Sequence, residues 1–266
     1  MLVCVVEDVF GRIAAARFPS NVLLKEETAS TNADAKTLQS AGLQPPFIVL
    51  AKKQSAAYGQ RGNAWKGDAI GNLYLSCAVK ITDRLEKNLE IFPQHIAISL
   101  CEIFRTKYFA RAMVKWPNDI FVRSKKMGGL LLETVWNREK LAGAVLGIGV
   151  NILSAPKIDG ESYEATCLAD ETKIQLEFDV VVGECITSVL SAVSSFEEVA
   201  NYSICEKWKR FDGLNAQTID VAADGEVICG KNCGIGENGE LIIFTSAGEF
   251  VEIKQGCARI KLSGKV

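Results

Sequence analysis

The chain has 266 residues, enough for one large domain and a small one, and its 48% apolar content supplies the core they need. A formal charge of −2 argues against the uniformly basic surface that holds polyanions by counterion release, so bulk nucleic-acid binding is not expected. Nine cysteines with no Cys-x-x-Cys pair, beside a single histidine, read as reduced, buried small hydrophobes rather than ligands, and no metal site made of protein side chains is expected.

The opening stretch, MLVCVVEDVFGRIAAARFPS, carries acidic residues inside its apolar part and lacks the layout of a signal peptide. No run reaches the roughly 20 apolar residues that cross a bilayer. The expectation is a soluble, cytoplasmic protein without membrane contact. Asn21 to Glu27 (NVLLKEE) predicts a strand, and TASTNADAKTLQSAG a helix opened by Thr31, three residues before Asp34, and closed by Gly42. FIVLAKK predicts a buried strand that delivers the polar loop QSAAYGQRGNAW, after which GNLYLSCAVKI resumes strand character.

In HIAISLCEIFRTKYF the apolar Ile96, Leu100, Ile103 and Phe104 fall at helical spacing, with the helix starting at His95. AMVKW, DIFVR, MGGLLLETVW and LAGAVLGIGVNI, separated by the turns RSKK and NREK, predict an antiparallel meander. A second helical region runs from about Asp179 to Trp208. From Thr218 onward, short alternating segments broken by Gly, Asn and Asp describe a small five-stranded barrel. The predicted fold is α+β: a mixed, largely antiparallel sheet backed by helices over residues 1–211, then a β-barrel over residues 212–266.

Lys115-Trp116-Pro117-Asn118-Asp119 interrupts the meander. Proline fixes its own backbone and holds Trp116 extended, so the strand stops and Asn118 and Asp119 turn at its end. Either polar groups are aimed from a strand terminus into a site, or this is a plain surface turn. Hydrolase chemistry has no support, because His95 is remote from any motif and no cysteine has a cationic neighbour to activate it. With neither a Walker A nor a dinucleotide-binding pattern, nucleotide binding must rest on a loop.

KWPND followed by KKMGGLLLE resembles the signature of biotin-protein ligases, whose relatives the lipoate ligases share the fold. ETASTN, QSAAYGQRGNAW with GNLYLS, and GIGVNI agree in order and spacing, so that with WKRFD the likeness covers about Asn21 to Lys261. The resemblance implies a catalytic domain like that of class II aminoacyl-tRNA synthetases and an SH3-like C-terminal barrel. Since about twenty residues precede the match, it also implies the form without an N-terminal DNA-binding domain. The activity implied is ATP-dependent attachment of biotin to a lysine of a biotin carboxyl carrier protein through biotinyl-AMP, with Mg2+ accompanying ATP; a homodimer stays open as the assembly.

The same resemblance implies Lys126 as the catalytic cation, with Arg61 second and Asp119 as base or hydrogen-bond partner of the incoming lysine. Lys125 remains a rival, because adjacent strand residues face opposite sides and only one of the two can enter a site. Biotin would be held by Ser30, Thr31, Asn32, Gln54, Tyr58, Gly59, Gln60, Gly129, Gly147 and Gly149. ATP would lie against Arg61, Trp65, Asn72, Lys115, Asn118, Lys126 and Asn151, Trp65 being either an adenine platform or a hydrophobic plug. The family's loop Gly-Arg-Gly-Arg-Arg-Gly-Arg reads here Ala57-Tyr58-Gly59-Gln60-Arg61-Gly62-Asn63, and the loss of three phosphate-binding arginines leads to an expectation of weaker retention of the adenylate. A lipoate or other acyl-protein ligase, or a non-catalytic biotin- or carrier-binding module, are the alternatives.

Overall fold

A computed structural model describes residues 21–158, 163–223, 225–256 and 258–262. The reading of the first twenty residues, Cys4 and Cys257 lie outside these. Strands β1 (Asn21–Thr28), β2 (Phe47–Gln54), β3 (Leu73–Val79), β4 (Ala112–Lys115), β5 (Asp119–Val122), β6 (Lys125–Asn137) and β7 (Lys140–Val150) form a seven-stranded sheet in the order β1-β2-β3-β7-β6-β5-β4. Only β1 and β2 run parallel; the last four strands are the predicted meander.

Because side chains alternate along a strand, each strand feeds two layers. Ile48, Leu50, Leu75, Cys77, Leu146, Ile148, Leu130, Ile120 and Val114 enter the larger core. Helices α3 (Ile91–Thr106), α5 (Phe178–Ser195) and α6 (Asn201–Phe211) contribute to that same core through Ile96, Leu100, Val182, Ile186 and Trp208. On the opposite face Phe47, Val49, Ala78 and Val145 pack with Ala35 of α1 (Thr31–Ser40). Two short helices, α2 (Asp83–Lys87) and α4 (Leu168–Glu171), complete the connections.

Three local expectations need correction. The cap of α1 is Ser30, whose Oγ accepts from the Ala33 amide at 3.4 Å, and Thr31 is the first helical residue. Helix α3 begins at Ile91, four residues before His95, because Pro93 falls within the first turn, where its missing N–H costs nothing. The second helical region is two helices, α5 and α6, separated by residues 196–200.

Among the described residues, Cys77, Cys101, Cys167, Cys185 and Cys205 are free thiols and buried as expected. Cys229 is exposed and Cys233 half-buried, because they lie on the β9 strand (Glu226–Ile235) of a small sheet with one wet face. The expectation that no run is long and apolar enough for a bilayer also fails at α5, whose 18 residues meet that test by length and composition. In this fold Val181, Val182, Cys185, Ile186 and Val189 of α5 are buried in the protein core.

Strands β8 (Thr218–Ala223), β9, β10 (Leu241–Thr245), β11 (Phe250–Ile253) and β12 (Arg259–Leu262) form a five-stranded antiparallel sheet in the order β11-β10-β9-β8-β12. Its Ile219, Val221, Leu241 and Ile243 join the larger core. At the junction Asp212 is buried, accepting from the Leu214 amide at 2.9 Å and from Asn232 Nδ2 at 2.8 Å, while Gly213 N–H donates to the Val114 carbonyl at 2.8 Å.

His95 shows how this packing responds to pH. It is 5% exposed, with Nε2 3.2 Å from the Ala192 carbonyl, and burial pulls its pKa from 6.5 down to about 4. The unfolded chain therefore takes up a proton near pH 6.5 that the native state refuses. Stability should be fully present above pH 6.5 and fall as the pH drops toward 4, by up to about 3 kcal/mol. Thermal melts between pH 7 and 4.5 should show a steeper loss for the native sequence than for His95→Gln; parallel curves would contradict this.

Candidate active site

The face of the large sheet that carries α1 also carries a row of matched residues. Lys115 pairs with Asp119, Asp119 with Gly129, Gly129 with Gly149, and Gly149 with Tyr74. Two residues along, Leu131 pairs with Gly147 and Gly147 with Ser76. The glycines in the middle of this surface leave a trough whose floor is completed by Trp65 over Gly149 and Asn32 over Gly147, and it lies in a cleft also lined by the loop 57–65 and by Gly213, Leu214, Gln217, Ala258 and Ile260 from the C-terminal part. A Cβ at Gly149 would stand 2.6 Å from the Trp65 ring, and one at Gly147 would stand 2.9 Å from the Asn32 amide carbon. Glycine is required at both because neighbours occupy the space.

One end of the trough is charged. Lys126 Nζ sits 2.7 Å from Asp119 Oδ1, 5.5 Å from the Trp65 ring centre and 5.4 Å from that of Tyr163. Lys115 lies over the Phe121 ring at 5.0 Å, and burial lowers its pKa, an effect that Lys126 reinforces and Asp119 opposes. Around them the cleft wall carries Arg105, Arg111, Arg123 and Lys125, with Asp119 and Glu164 as its carboxylates. Such a surface favours anions and can stabilise charge that develops on one.

Which lysine enters is decided by a β-bulge. Regular alternation back from Gly129 would put Met127 and Lys125 on the cleft face. Ile120 instead pairs with Gly128 and Phe121 with Lys126, so β6 carries an extra residue there. Met127 is thereby fully buried, and Lys126 is turned into the cleft with 16% of its side chain exposed. Lys125 reaches out to Glu164 at 2.8 Å and is 46% exposed.

The other end is polar and neutral. Gln54 Oε1 accepts from the Thr31 amide at 2.8 Å and from Thr31 Oγ1 at 3.1 Å. Ser76 Oγ stands 2.7 Å from Thr31 Oγ1 and donates to Asn32 Oδ1. Asn32 Nδ2 donates to Glu133 Oε2 at 2.7 Å, and Glu133 also receives Lys36 at 2.7 Å and the Tyr58 hydroxyl at 3.0 Å. Ser76, Glu133 and Lys36 were missed by sequence reasoning. Their signals were available: Ser76 ends GNLYLS, Glu133 ends KKMGGLLLE, and Lys36 lies one helical turn beyond Asn32.

The structure therefore brings together in one cleft Ser30, Thr31, Asn32, Gln54, Tyr58, Gly59, Gln60, Arg61, Trp65, Lys115, Asn118, Asp119, Lys126, Gly129, Gly147 and Gly149. Within it, Arg61 does not join Lys126. Its backbone is left-handed, and its guanidinium donates to the carbonyls of Gly256 and of Ala258, the latter at 2.9 Å. The Asn118 amide nitrogen is engaged by the Leu130 carbonyl. Trp65 covers Gly149 with its Nε1 buried and unpartnered, so it closes the trough floor at the foot of Lys126.

Asn72 and Asn151 are not on the cleft wall. Asn72 accepts from the Ile152 amide at 2.9 Å, and Asn151 donates to the Thr166 carbonyl at 3.0 Å. Both hold backbone turns beyond the end of β7, where their amides satisfy buried groups that no strand partner reaches.

Residues 24–151 match the Biotin/lipoate A/B protein ligase family. The chain is 24% identical over 194 residues to the bifunctional ligase/repressor BirA of Escherichia coli, an alignment covering 73% of this chain and 60% of that protein. It is 33% identical over 132 residues to the biotin--[acetyl-CoA-carboxylase] ligase of Paracoccus denitrificans, covering 48% and 53% of the two. The chain thus spans less than two thirds of the length of these curated relatives. Among solved structures, the biotin protein ligase of Aquifex aeolicus in complex with biotin and ATP superposes with a TM-score of 0.78 at 22% identity, over 92% of this chain and 100% of that one. At this identity the likeness is one of fold.

Proposed function

We propose, from the match of residues 24–151 to the biotin/lipoate A/B protein ligase family, that the chain attaches biotin to a lysine of a carrier protein through an adenylate. The observation that carries this reading is the trough itself: a hydrogen-bonding end at Thr31, Asn32, Gln54 and Ser76, a glycine floor, and a cationic end at Lys115 and Lys126. From Gly147 on β7 to Asp119 on β5 is two strand spacings across and two residues along, roughly 12 Å. A ureido ring with a five-carbon acid tail fits that span, its ring at the neutral end and its carboxylate at the lysines.

In the first step a carboxylate oxygen of biotin bonds to the α-phosphorus of ATP and pyrophosphate leaves. Two anions must meet, and Lys126 and Lys115 offset their repulsion and the charge growing on the phosphate. In the second step the amine of a carrier lysine attacks the acyl carbon and AMP departs. Asp119 is the carboxylate positioned to accept that amine's proton. Mg2+ is expected to arrive with ATP, since Asp119 and Glu164 on the cleft wall already hold Lys126 and Lys125. We further propose that the small sheet closes as an SH3-like barrel, that the catalytic part ends near Phe211, and that the protein works in the cytoplasm.

Pyrophosphate exchange into ATP should require biotin, and neither lipoate nor octanoate should replace it. A carrier domain added with biotin and MgATP should gain one biotinyl mass on a lysine. Exchange driven by octanoate, or no biotin-dependent exchange at high protein concentration, would overturn the reading.

A further inference from the structure

Glu133 has no part in the chemistry above, yet three side chains from two other elements converge on it. Asn32 and Lys36 come from the same face of α1 and Tyr58 from the loop, at 2.7, 2.7 and 3.0 Å. It lies two residue pairs beyond Gly129 on the cleft face of β6, opposite Val145. Burial alone would raise its pKa, but hydrogen bonds from Lys36, Asn32 and Tyr58 outweigh it and hold the group ionised.

A carboxylate can only accept hydrogen bonds, so the group of Asn32 that faces it must be the NH2. The amide oxygen is thereby turned the other way, against Gly147 and the Ser76 hydroxyl, where Asn32 borders the cleft. We infer that Glu133 is a specificity-determining positioning residue, which locks the Asn32 amide so that the neutral end of the cleft presents an oxygen acceptor and selects ligands carrying a ring N–H. The inference rests on the biotin reading above. It adds that discrimination between a cyclic urea and an acyl chain lacking N–H groups depends on a carboxylate outside the ligand's reach. Lys36 neutralises that carboxylate, and Tyr58, standing where the family's loop carries arginine, ties the loop to the same point.

The test is calorimetric binding of biotin, and of biotin methylated on a ureido nitrogen, to four proteins: the native chain, Glu133→Gln, Asn32→Asp and the double variant. Loss of an amide lock to a charged group should weaken biotin about ten- to fiftyfold in Glu133→Gln, with KM for biotin rising and kcat of exchange nearly unchanged. Asn32→Asp sets two carboxylates together and should be at least as weak. In the double variant the new amide on β6 becomes the donor and the new carboxylate on α1 the acceptor, so the acceptor toward the cleft returns and affinity should recover to within about fivefold of native.

A purely structural role for Glu133 predicts no such rescue. Native affinity in Glu133→Gln, or a double variant no better than the weaker single variant while all melt normally, overturns the inference. Should Glu133→Gln fail to fold, Glu133→Asp keeps the charge for Lys36 but withdraws it from Asn32; unchanged biotin affinity there overturns the inference too. If the native chain binds no biotin, the ligase reading fails first, and this inference falls with it.

Discussion

Lys126→Ala is expected to lower biotin-dependent pyrophosphate exchange by about 10²–10³-fold, the usual cost of removing one preorganised contact to developing charge. Lys125→Ala should change it by no more than about twofold, because an exposed ion pair contributes little. The two residues are neighbours in sequence and alike in chemistry, so the contrast isolates position. Lys126 is ion-paired to Asp119 at 2.7 Å, and Trp65 and Tyr163 shield it from water, which strengthens its field on an anion in the trough. Lys125 points to Glu164 with nearly half its side chain in solvent. Arginine at position 126 would retain charge but not the point-like ammonium that fits beside Asp119, so partial activity is expected. A larger loss for Lys125→Ala than for Lys126→Ala would show that the bulge does not direct the lysine as described.

Gly147→Ala should weaken biotin binding by at least about a hundredfold while leaving the melting temperature within a few degrees. The added methyl would overlap the Asn32 amide, and Asn32 cannot swing away without breaking its bonds to Ser76 and Glu133. Either the amide is displaced or the strand shifts, and both would remove the acceptor proposed above for the ring. Gly149→Ala meets the Trp65 ring instead and should raise KM for ATP more than for biotin, since the disturbance falls at the cationic end. Gly183→Ala is the matched control: nothing lies within 4 Å of its added methyl, and alanine in a helix gains up to about 1 kcal/mol. Calorimetry on the three proteins decides the matter, and native affinity in Gly147→Ala would remove the trough from the account.

Much of this molecule was legible in its sequence because the relevant signals are local or periodic. The apolar runs FIVLAKK and GNLYLSCAV and the short segments of the meander predicted the strands from local composition, and pleating then places neighbours on opposite faces whatever surrounds them. The motifs around Thr31, Gln54, Lys115 and Gly147 were identifiable without coordinates, and the fold brings them to one trough.

What the tertiary structure alone decided are the places where partners distant in the chain compete. The choice of Lys126 over Lys125 depends on one extra residue in the β5–β6 pairing, and a bulge is set by cross-strand hydrogen bonding that no period in β6 reveals. Arg61 bonds to carbonyls nearly two hundred residues later, and Glu133 meets Asn32 a hundred residues earlier, so neither partner can be read from spacing. Asn72 and Asn151 stand near the right motifs but off the cleft wall, where Asn72 accepts from the Ile152 amide and Asn151 donates to the Thr166 carbonyl. Sequence sets what each segment can offer; register and long-range packing choose which atom receives it, because a one-residue shift in a sheet costs little locally and exchanges every face.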